Sequence, residues 1–390
     1  MARSPQGQKS IAVFGATGSI GASTLDLIAR HPDRFRASVL TGGKNVEALI
    51  ALVQHFKPDH AVIADESQYE ALKSGVAGTS TIAHAGAAAL ADLAAAEADV
   101  MVSAITGTAG LLPTLSAVRA GGVIAIANKE SLVAAGGIIT REAQRHGATL
   151  LPIDSEHNAV FQAWAHARHD EVASITLTAS GGPFWSRSLA EMQDITPAQA
   201  VKHPNWSMGQ KVSVDSATMM NKGLEVMEAV VLFDLPEDRV KVLVHPSSVV
   251  HGMVQYRDGS ILAQMGAADM RVPIAHALAW PDRLDWDAEQ IDLTALADLA
   301  FHAPDDDRFP CLALAREASR RGGFAPTVLN AANEMAVEFF LNGTIGFLDI
   351  ARLNRHMMES MTAGGDITLD DIIAVDQDTR RQALAWLSER

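Results

Sequence analysis

"IAVFGATGSIGAS", residues 11–23, decides how the N-terminal part of this chain is read. Ile11 to Phe14 form a short apolar run without polar alternation, which is the pattern of a strand covered on both faces. Gly15, Gly18 and Gly21 follow, and "GASTLDLIARH" then carries a helical pattern. Glycines between a first strand and a first helix allow a tight turn and bring a pyrophosphate close to the backbone N–H groups of the helix N-terminus. The spacing is Gly-x-x-Gly-x-x-Gly, not Gly-x-Gly-x-x-Gly, and a plain strand–helix turn could carry it. Its place at the opening of the chain favours a nucleotide.

The alternation continues outward. "FRASVLTGG", "HAVIA", "DVMVSAI", "GGVIAIAN" and "ATLLPID" read as further strands, separated by helical stretches such as "NVEALIALVQHF" and "LLPTLSAVRA". Such alternation predicts a parallel sheet with helices on both faces and ligands at the carboxyl ends of its strands. Gly15, Asn128 and Asp154 stand at such ends. A binder of NADH usually places an acid after the second strand, to hold the ribose hydroxyls. Here that strand ends "LTGGKN", with Lys44 and Asn45 in place of an acid, which suits a 2′-phosphate and favours NADPH. A solvated loop lysine is the other reading of Lys44.

The middle of the chain changes character. "VASITLTASGGPFW" and "VKVLVHPSSVVHGMVQYRDGSILAQMG" read as strands and hairpins, the Asp-Gly of "YRDGSI" marking a turn. One helix is expected over "ATMMNKGLEVMEAVVLF". A stretch rich in Asp and Pro from about Pro281 to Pro310 reads as a linker, and four helical segments follow, with Gly322, Gly323 and Gly343 as helix stops.

The 390 residues are 48% hydrophobic and 20% charged, enough for two or three domains, and the formal net charge of −15 argues against nucleic acid or an anionic membrane as partner. The single cysteine, Cys311, excludes an internal disulfide and fits a reducing compartment. The polar N-terminus lacks the apolar core of a secretory signal, and no stretch has the length and apolarity of a membrane span, so a cytoplasmic protein is expected.

Chemistry gathers around "LPIDSEHNAVF", residues 151–161. If Asp154, Ser155 and Glu156 continue the strand, both carboxylates point the same way and repel unless a positive charge lies between them. Two such acids suit a hard divalent cation, Mg²⁺ or Mn²⁺. The predicted helix offers a third acid. Its apolar stripe is Met220, Leu224, Met227 and Val231, with Asn221, Glu225 and Glu228 on an adjacent line and Lys222 one turn from Glu225. A surface Lys–Glu pair is the alternative, but Ser213, Asp215, Ser216 and Thr218 just upstream add the hydroxyls of an anion site. Ser180 with its Gly-Gly turn is a candidate phosphate nest or an ordinary turn. "KHPNWSMGQK", with His203 and Trp206, is a candidate lid or a surface loop. Lys129, at the ligand end of the sheet, is placed to stabilise charge on a carbonyl or hydroxyl.

Taken in order, "GATGSIGAST", "GGKN", "ANKESLV", "DSEHNA", "SGGPF", "HPNWSMG", "VDSATMMNKGLEV" and "DMRVPIAHALAWP" resemble the motifs of 1-deoxy-D-xylulose 5-phosphate reductoisomerases over essentially the whole chain. The resemblance implies an α/β fold. A Rossmann-like NADPH-binding domain would occupy 1–153, a central α+β catalytic, metal-binding and dimerisation domain 154–281, a linker 282–309, and a C-terminal helical bundle 310–390. It implies conversion of 1-deoxy-D-xylulose 5-phosphate to 2-C-methyl-D-erythritol 4-phosphate in the non-mevalonate isoprenoid pathway, by a homodimer. The cofactors would be NADPH and Mg²⁺ or Mn²⁺, with Co²⁺ as a third candidate.

Residue by residue, the resemblance implies that Asp154, Glu156 and Glu225 ligate the metal. Ser180, Ser216, Asn221 and Lys222 would receive the phosphate of a small phosphorylated sugar. Ser155, Glu156 and Lys129 would surround its hydroxyls and carbonyl, and His203 would belong to the closing lid. Thr17, Gly18, Ser19, Ile20, Gly43, Lys44, Asn45, Asn128, Glu130 and Gly209 would contact the cofactor. Fragmentation with recombination and direct migration both remain open as rearrangement routes. Two rival readings of the residues are a metal-independent NADPH dehydrogenase of the semialdehyde or homoserine type, and a nucleotide-sensing module without turnover.

Overall fold

The structure is a computed structural model that describes residues 7–96, 98–164, 167–203, 206, 208–296, 298–360 and 367–389. The chain divides into two compact units. The first comprises Met1–Ser131, Ile139–Asp154 and Met270–Ala288, and the second Leu132–Ile138, Ser155–Asp269 and Glu289–Arg390.

The first unit alternates strand and helix: β1 (Lys9–Phe14), α1 (Ser19–Arg30), β2 (Phe35–Gly42), α2 (Val46–Phe56), β3 (His60–Ile63), α3 (Tyr69–Gly75), β4 (Ile82–Ala85), α4 (Gly86–Ala94), β5 (Val100–Ser103), α5 (Leu111–Arg119), β6 (Val123–Ile126), α6 (Lys129–His146) and β7 (Thr149–Pro152). The seven strands pair in parallel in the order β4-β3-β2-β1-β5-β6-β7. Ile11, Val13 and Phe14 are wholly buried, as a central strand between two helix layers requires. The order reverses between β1 and β5, and that switch point is where open α/β sheets bind ligands. β4, four residues of "IAHA", and α3 are elements that the sequence pattern did not signal.

In the second unit come α7 (Ser155–Trp164), β8 (Val172–Ala179), α8 (Pro197–Ala200), α9 (Gln210–Ala217), α10 (Met220–Leu232), β9 (Val240–Val244), β10 (Val250–Tyr256) and β11 (Ile261–Met265). Helix α11 (Arg271–Ala279) returns to the first unit, and α12 (Pro310–Arg321), α13 (Ala325–Leu341), α14 (Asp349–Ser360) and α15 (Leu369–Ser388) complete the second. Its four strands form a mixed sheet in the order β11-β10-β8-β9, in which β8 and β9 run parallel. The β10–β11 hairpin turns at Asp258–Gly259, where Gly259 takes φ +93°. Within the Asp- and Pro-rich segment, His302 exchanges both backbone hydrogen bonds with Val244 at 2.8 Å, so this stretch adds a bridge to the edge of the sheet. No described helix is long and apolar enough to cross a membrane.

One local expectation is corrected and one helix start is moved. Asp154, Ser155 and Glu156 do not continue a strand: β7 stops at Pro152 and Ser155 opens α7, with Glu156 in its first turn, where a carboxylate is favoured by the helix dipole. The helix expected over residues 217–233 is α10, which starts only at Met220 because Met219 takes a left-handed conformation (φ +63°), and a separate helix, α9, precedes it. Ser213, Asp215 and Ser216 therefore lie in α9 itself.

Candidate active site

At the nucleotide end, Gly15 has φ +96°, and a Cβ there would meet the Ala104 carbonyl oxygen at 2.5 Å, so the turn passes hard against the end of β5. A Cβ on Gly21 would meet the Gly15 oxygen at 2.4 Å, so only glycine lets α1 close onto the turn. Thr17, Gly18 and Ser19 are exposed and no side chain caps the start of α1, which leaves the helix N-terminus open to an anion. The glycine cradle therefore fits a pyrophosphate. Gly43 and Lys44 are exposed beyond β2, and Asn45 caps α2 by accepting from the Ala48 N–H at 3.0 Å. One acid the sequence reading missed lies nearby. Asp65 accepts from the Ser67 N–H and hydroxyl, which hold its carboxyl below the usual range, and the Lys44 ammonium adds to the same effect.

Asn128 ends the β6 connection. It is buried, its Oδ1 caps α6 by accepting from the Ser131 N–H at 2.7 Å, and its Nδ2 donates to the carbonyls of Ile105 and Gly107. These bonds fix the loop beyond β5. Glu130 is buried beside it. Lys129 Nζ lies 2.8 Å from Asp154 Oδ2, within the same unit, so Asp154 has a lysine as its cationic partner.

In the second unit, Lys222, Glu225 and Glu228 are 4%, 1% and 1% exposed, which excludes a surface ion pair. Lys222 Nζ is 2.8 Å from Glu156 Oε1 and also bonds the Glu225 carboxylate, while Asn221 Nδ2 donates to Glu225 Oε1. Ser155 Oγ donates to Glu156 Oε2 at 2.6 Å. The Glu156 and Glu225 carboxylates come within 4.8 Å of each other. Close packing holds the two helices in place. A Cβ on Gly252 of β10 would meet the Glu156 carbonyl at 2.9 Å, and one on Gly223 would meet Ala315 of α12 at 2.4 Å. Two carboxylates drawn together around an ammonium, with only oxygen donors, make a set that fits a hard divalent cation.

The candidate phosphate nest after β8 has two consecutive left-handed glycines, Gly181 (φ +84°) and Gly182 (φ +69°). The Gly182 N–H donates to Ser180 Oγ at 3.1 Å, and a Cβ on Gly182 would meet the Ser216 carbonyl at 2.7 Å, so this turn lies against the end of α9. His203 Nε2 is 2.8 Å from Ser180 Oγ, and His203 Nδ1 accepts from the Trp206 N–H at 3.0 Å. Burial lowers the His203 pKa, with the negative charge of Glu156 opposing it. Pro204, Asn205 and Ser207 of the proposed lid lie outside the described residues. Gly209 is exposed at the start of α9.

Two further groups were missed by sequence reasoning. His251 of β10 is buried, its ring centroid is 6.0 Å from that of Trp206, and burial lowers its pKa against the pull of Glu156. His157, wholly buried, lies 2.9 Å from the Glu225 carbonyl at Nε2 and 3.3 Å from Glu228 Oε2 at Nδ1. A carbonyl only accepts, so Nε2 carries a proton. Its place directly after Glu156 in "DSEHNA" was the available signal.

Residues 11–136 match the family profile of 1-deoxy-D-xylulose 5-phosphate reductoisomerase, residues 150–233 its C-terminal domain profile, and residues 265–382 the profile of the DXP reductoisomerase C-terminal domain. The chain belongs to the 1-deoxy-D-xylulose 5-phosphate reductoisomerase family. The reductoisomerase of Zymomonas mobilis is 52% identical over 379 residues, 97% of this chain and 98% of that one. That of Xanthomonas campestris pv. campestris (strain 8004) is 53% identical over 377 residues, 96% and 95%.

Among solved structures, the Z. mobilis reductoisomerase in complex with NADPH superimposes with a TM-score of 0.92 at 51% identity, covering 97% of this chain and 99% of that one. A reductoisomerase in complex with NADPH, fosmidomycin and magnesium gives 0.93 at 46% identity, with 97% and 98% covered. The likeness spans the parallel sheet, the mixed sheet and the C-terminal helices, so the α/β class and its three parts hold for this reductoisomerase-family enzyme.

Proposed function

We propose that this enzyme converts 1-deoxy-D-xylulose 5-phosphate to 2-C-methyl-D-erythritol 4-phosphate, in the non-mevalonate isoprenoid pathway, with the site residues in the roles that follow. The observation that carries the assignment is the buried Lys222 ammonium bonded to both Glu156 and Glu225, at the start of the same helix as Asn221. Asp154, Glu156 and Glu225 hold Mg²⁺ or Mn²⁺, and the hydrogen bond from Ser155 keeps the Glu156 carboxylate oriented. When bound, the metal supplies a Lewis acid for adjacent carbonyl and hydroxyl oxygens of the sugar. When bound, NADPH supplies the hydride that reduces the rearranged aldehyde.

The chain's own groups bind, orient and exclude water. The Ser180 hydroxyl, the Gly181–Gly182 turn, Ser216, Asn221 and Lys222 receive the phosphate, where backbone N–H groups and an ammonium favour a dianion. Glu156 and Glu225, which bond Lys222 in this structure, would hold the metal, and the Lys222 ammonium would serve the phosphate. Lys129 stabilises negative charge on the substrate oxygens. His203, held by Ser180 and the Trp206 N–H, closes over the sugar and keeps water away. Thr17, Gly18, Ser19 and Ile20 cradle the pyrophosphate, Gly43, Lys44 and Asn45 meet the 2′-phosphate, and Asn128, Glu130 and Gly209 complete the cofactor contacts. The enzyme works as a cytoplasmic homodimer. Edge strand β11, with Ile261 and Leu262 each more than half exposed, supports pairing through the central domain.

Absorbance-monitored oxidation of NADPH, with and without Mg²⁺ and 1-deoxy-D-xylulose 5-phosphate, tests the reading. Turnover that needs both is expected. Turnover without metal, or none with this sugar phosphate, overturns it.

A further inference from the structure

Behind the phosphate end, α9 carries a buried charge that the proposed chemistry does not use. Asp215 is 1% exposed. Its Oδ2 lies 2.9 Å from Lys211 Nζ, one turn earlier on the same helix. Its Oδ1 accepts from Asn333 Nδ2 of α13 at 2.7 Å, and Asn333 Oδ1 accepts from Asn354 Nδ2 of α14 at 3.1 Å. Asn333 and Asn354 are both wholly buried. Helix α9 is thus joined to the distant pair α13 and α14 by one line of polar groups. A buried carboxylate is costly to desolvate and is kept only where its partners are fixed.

What the line holds is the turn between α9 and α10. The next residue is Ser216, and its carbonyl lies against Gly182 of the phosphate nest. Thr218 Oγ1 donates to the Asp215 carbonyl at 3.2 Å and accepts from the Met220 N–H at 3.4 Å, and the left-handed Met219 sits between them. Asn221 and Lys222 follow within the first turn of α10. A tilt of α9 would therefore move Ser216, Asn221 and Lys222 together.

We propose that Asp215, Asn333 and Asn354 form a positioning relay through which the C-terminal helices set the geometry of the phosphate-binding end of the site. None of the three is among the residues assigned to the substrate. This rests on the assignment of Ser180, Ser216, Asn221 and Lys222 to the phosphate. A relay of this kind acts most on the phosphate-bearing part of a ligand, through Ser216 and the first turn of α10, and less on the metal-binding part, because Glu156 is placed by α7 and β10 and only Glu225 shares α10 with Asn221 and Lys222.

The test compares Asp215→Asn with wild type for three ligands: fosmidomycin, the same hydroxamate without its phosphonate, and NADPH. Asp215→Asn sets an amide against Lys211 and weakens the line without changing its shape. Affinity for fosmidomycin is expected to fall about tenfold, KM for the sugar phosphate to rise with kcat within a few-fold, affinity for the truncated hydroxamate to fall clearly less than that for fosmidomycin, and affinity for NADPH to stay unchanged. The reciprocal exchange Asp215→Asn with Asn333→Asp restores a carboxylate–amide bond and should recover most of the loss.

Equal loss for the full and truncated hydroxamates, no loss for either, or no recovery in the exchange variant overturns the relay. Should Asp215→Asn not fold, Asn354→Ser at the far end of the line gives the same comparison, with a smaller shift in the same direction expected and an unchanged fosmidomycin affinity counting against it. Wild type that neither binds fosmidomycin nor turns over the sugar phosphate would refute the functional assignment. Active wild type with indifferent variants refutes the relay alone.

Discussion

The Lys222 ammonium lies 2.8 Å from Glu156 Oε1 and at the same time bonds the Glu225 carboxylate, three residues along its own helix. One buried cation thus holds together two acids that would otherwise repel. It links α10 to α7, and it stands where the charge of a metal ion would serve the same electrostatic purpose.

Removing that ammonium should therefore make the fold depend on metal. Lys222→Met leaves Glu156 and Glu225 facing each other without compensation, and breaking a buried ion pair typically costs on the order of 3–5 kcal/mol. The thermal midpoint of the variant should fall by several degrees without divalent cation, and Mg²⁺ should raise it more than it raises that of wild type. Equal Mg²⁺ stabilisation of the two proteins would show that lysine and metal do not serve the same acids.

Lys44 stands exposed after β2 with no acid following that strand, and Asp65 is turned to capping by its bonds to Ser67. Lys44→Ala should raise KM for NADPH about tenfold, the loss of one charge-assisted phosphate contact of roughly 1.5 kcal/mol, and leave KM for NADH almost unchanged. Steady-state kinetics with both cofactors decides the matter. A parallel rise for both would mean that Lys44 does not read the 2′-phosphate.

His276, on α11 of the first unit, gives the fold an acid-side weakness. Burial, with the Arg283 guanidinium adding to it, pushes its pKa down to about 4 from an ordinary 6.5. On acidification the unfolded chain takes up its proton first. The contribution of neutral His276 is thus complete above pH 6.5, is lost as pH falls from 6.5 to 4, and, for a half-buried ring partly screened by solvent, stays below the roughly 3.5 kcal/mol that 2.5 pH units at about 1.4 kcal/mol each would give. His276→Gln should lose less thermal stability than wild type between pH 6.5 and 4.5. Parallel melting curves across that window would contradict the assignment.

The parts of this molecule that could be read from its sequence are those whose signal is local. β1 and the glycine turn were legible because an apolar run and three glycines lie within eleven residues, and the Lys222–Glu225 pair because it is one helical turn apart. β4 was not, because "IAHA" is too short and too small to mark a strand. The break between α9 and α10 was hidden because methionine carries no preference for the left-handed region that Met219 adopts. The extended reading of Asp154–Glu156 failed where a helix start replaced a strand end, since both begin with a small polar residue after an apolar run. His251, and the bond from Asp215 to Asn333, depend on pairings across dozens of residues that no single sequence window displays.

The acids themselves provide the most demanding prediction. If Glu156 and Glu225 serve one cation, each contributes to a single binding event, and losing either already removes most of it. Glu156→Gln and Glu225→Gln should each lower kcat by at least a hundredfold at fixed Mg²⁺ and raise the Mn²⁺ concentration needed for half-maximal rate. The double variant should be little worse than the weaker single one, because residues that act as a unit are far from additive. Asp154→Asn should behave as a third member of the set. Affinity for NADPH, followed by its fluorescence, should change less than twofold, because the residues proposed to hold the cofactor are the turn after β1 and those after β2. The Lys222 ammonium gives the cycle an internal control. In Glu225→Gln it keeps Glu156 as its partner, so that variant should fold without metal as wild type does. Single variants that keep the wild-type metal dependence, or losses that simply add in the double variant, would mean that the two carboxylates do not share an ion and that their closeness serves Lys222 alone.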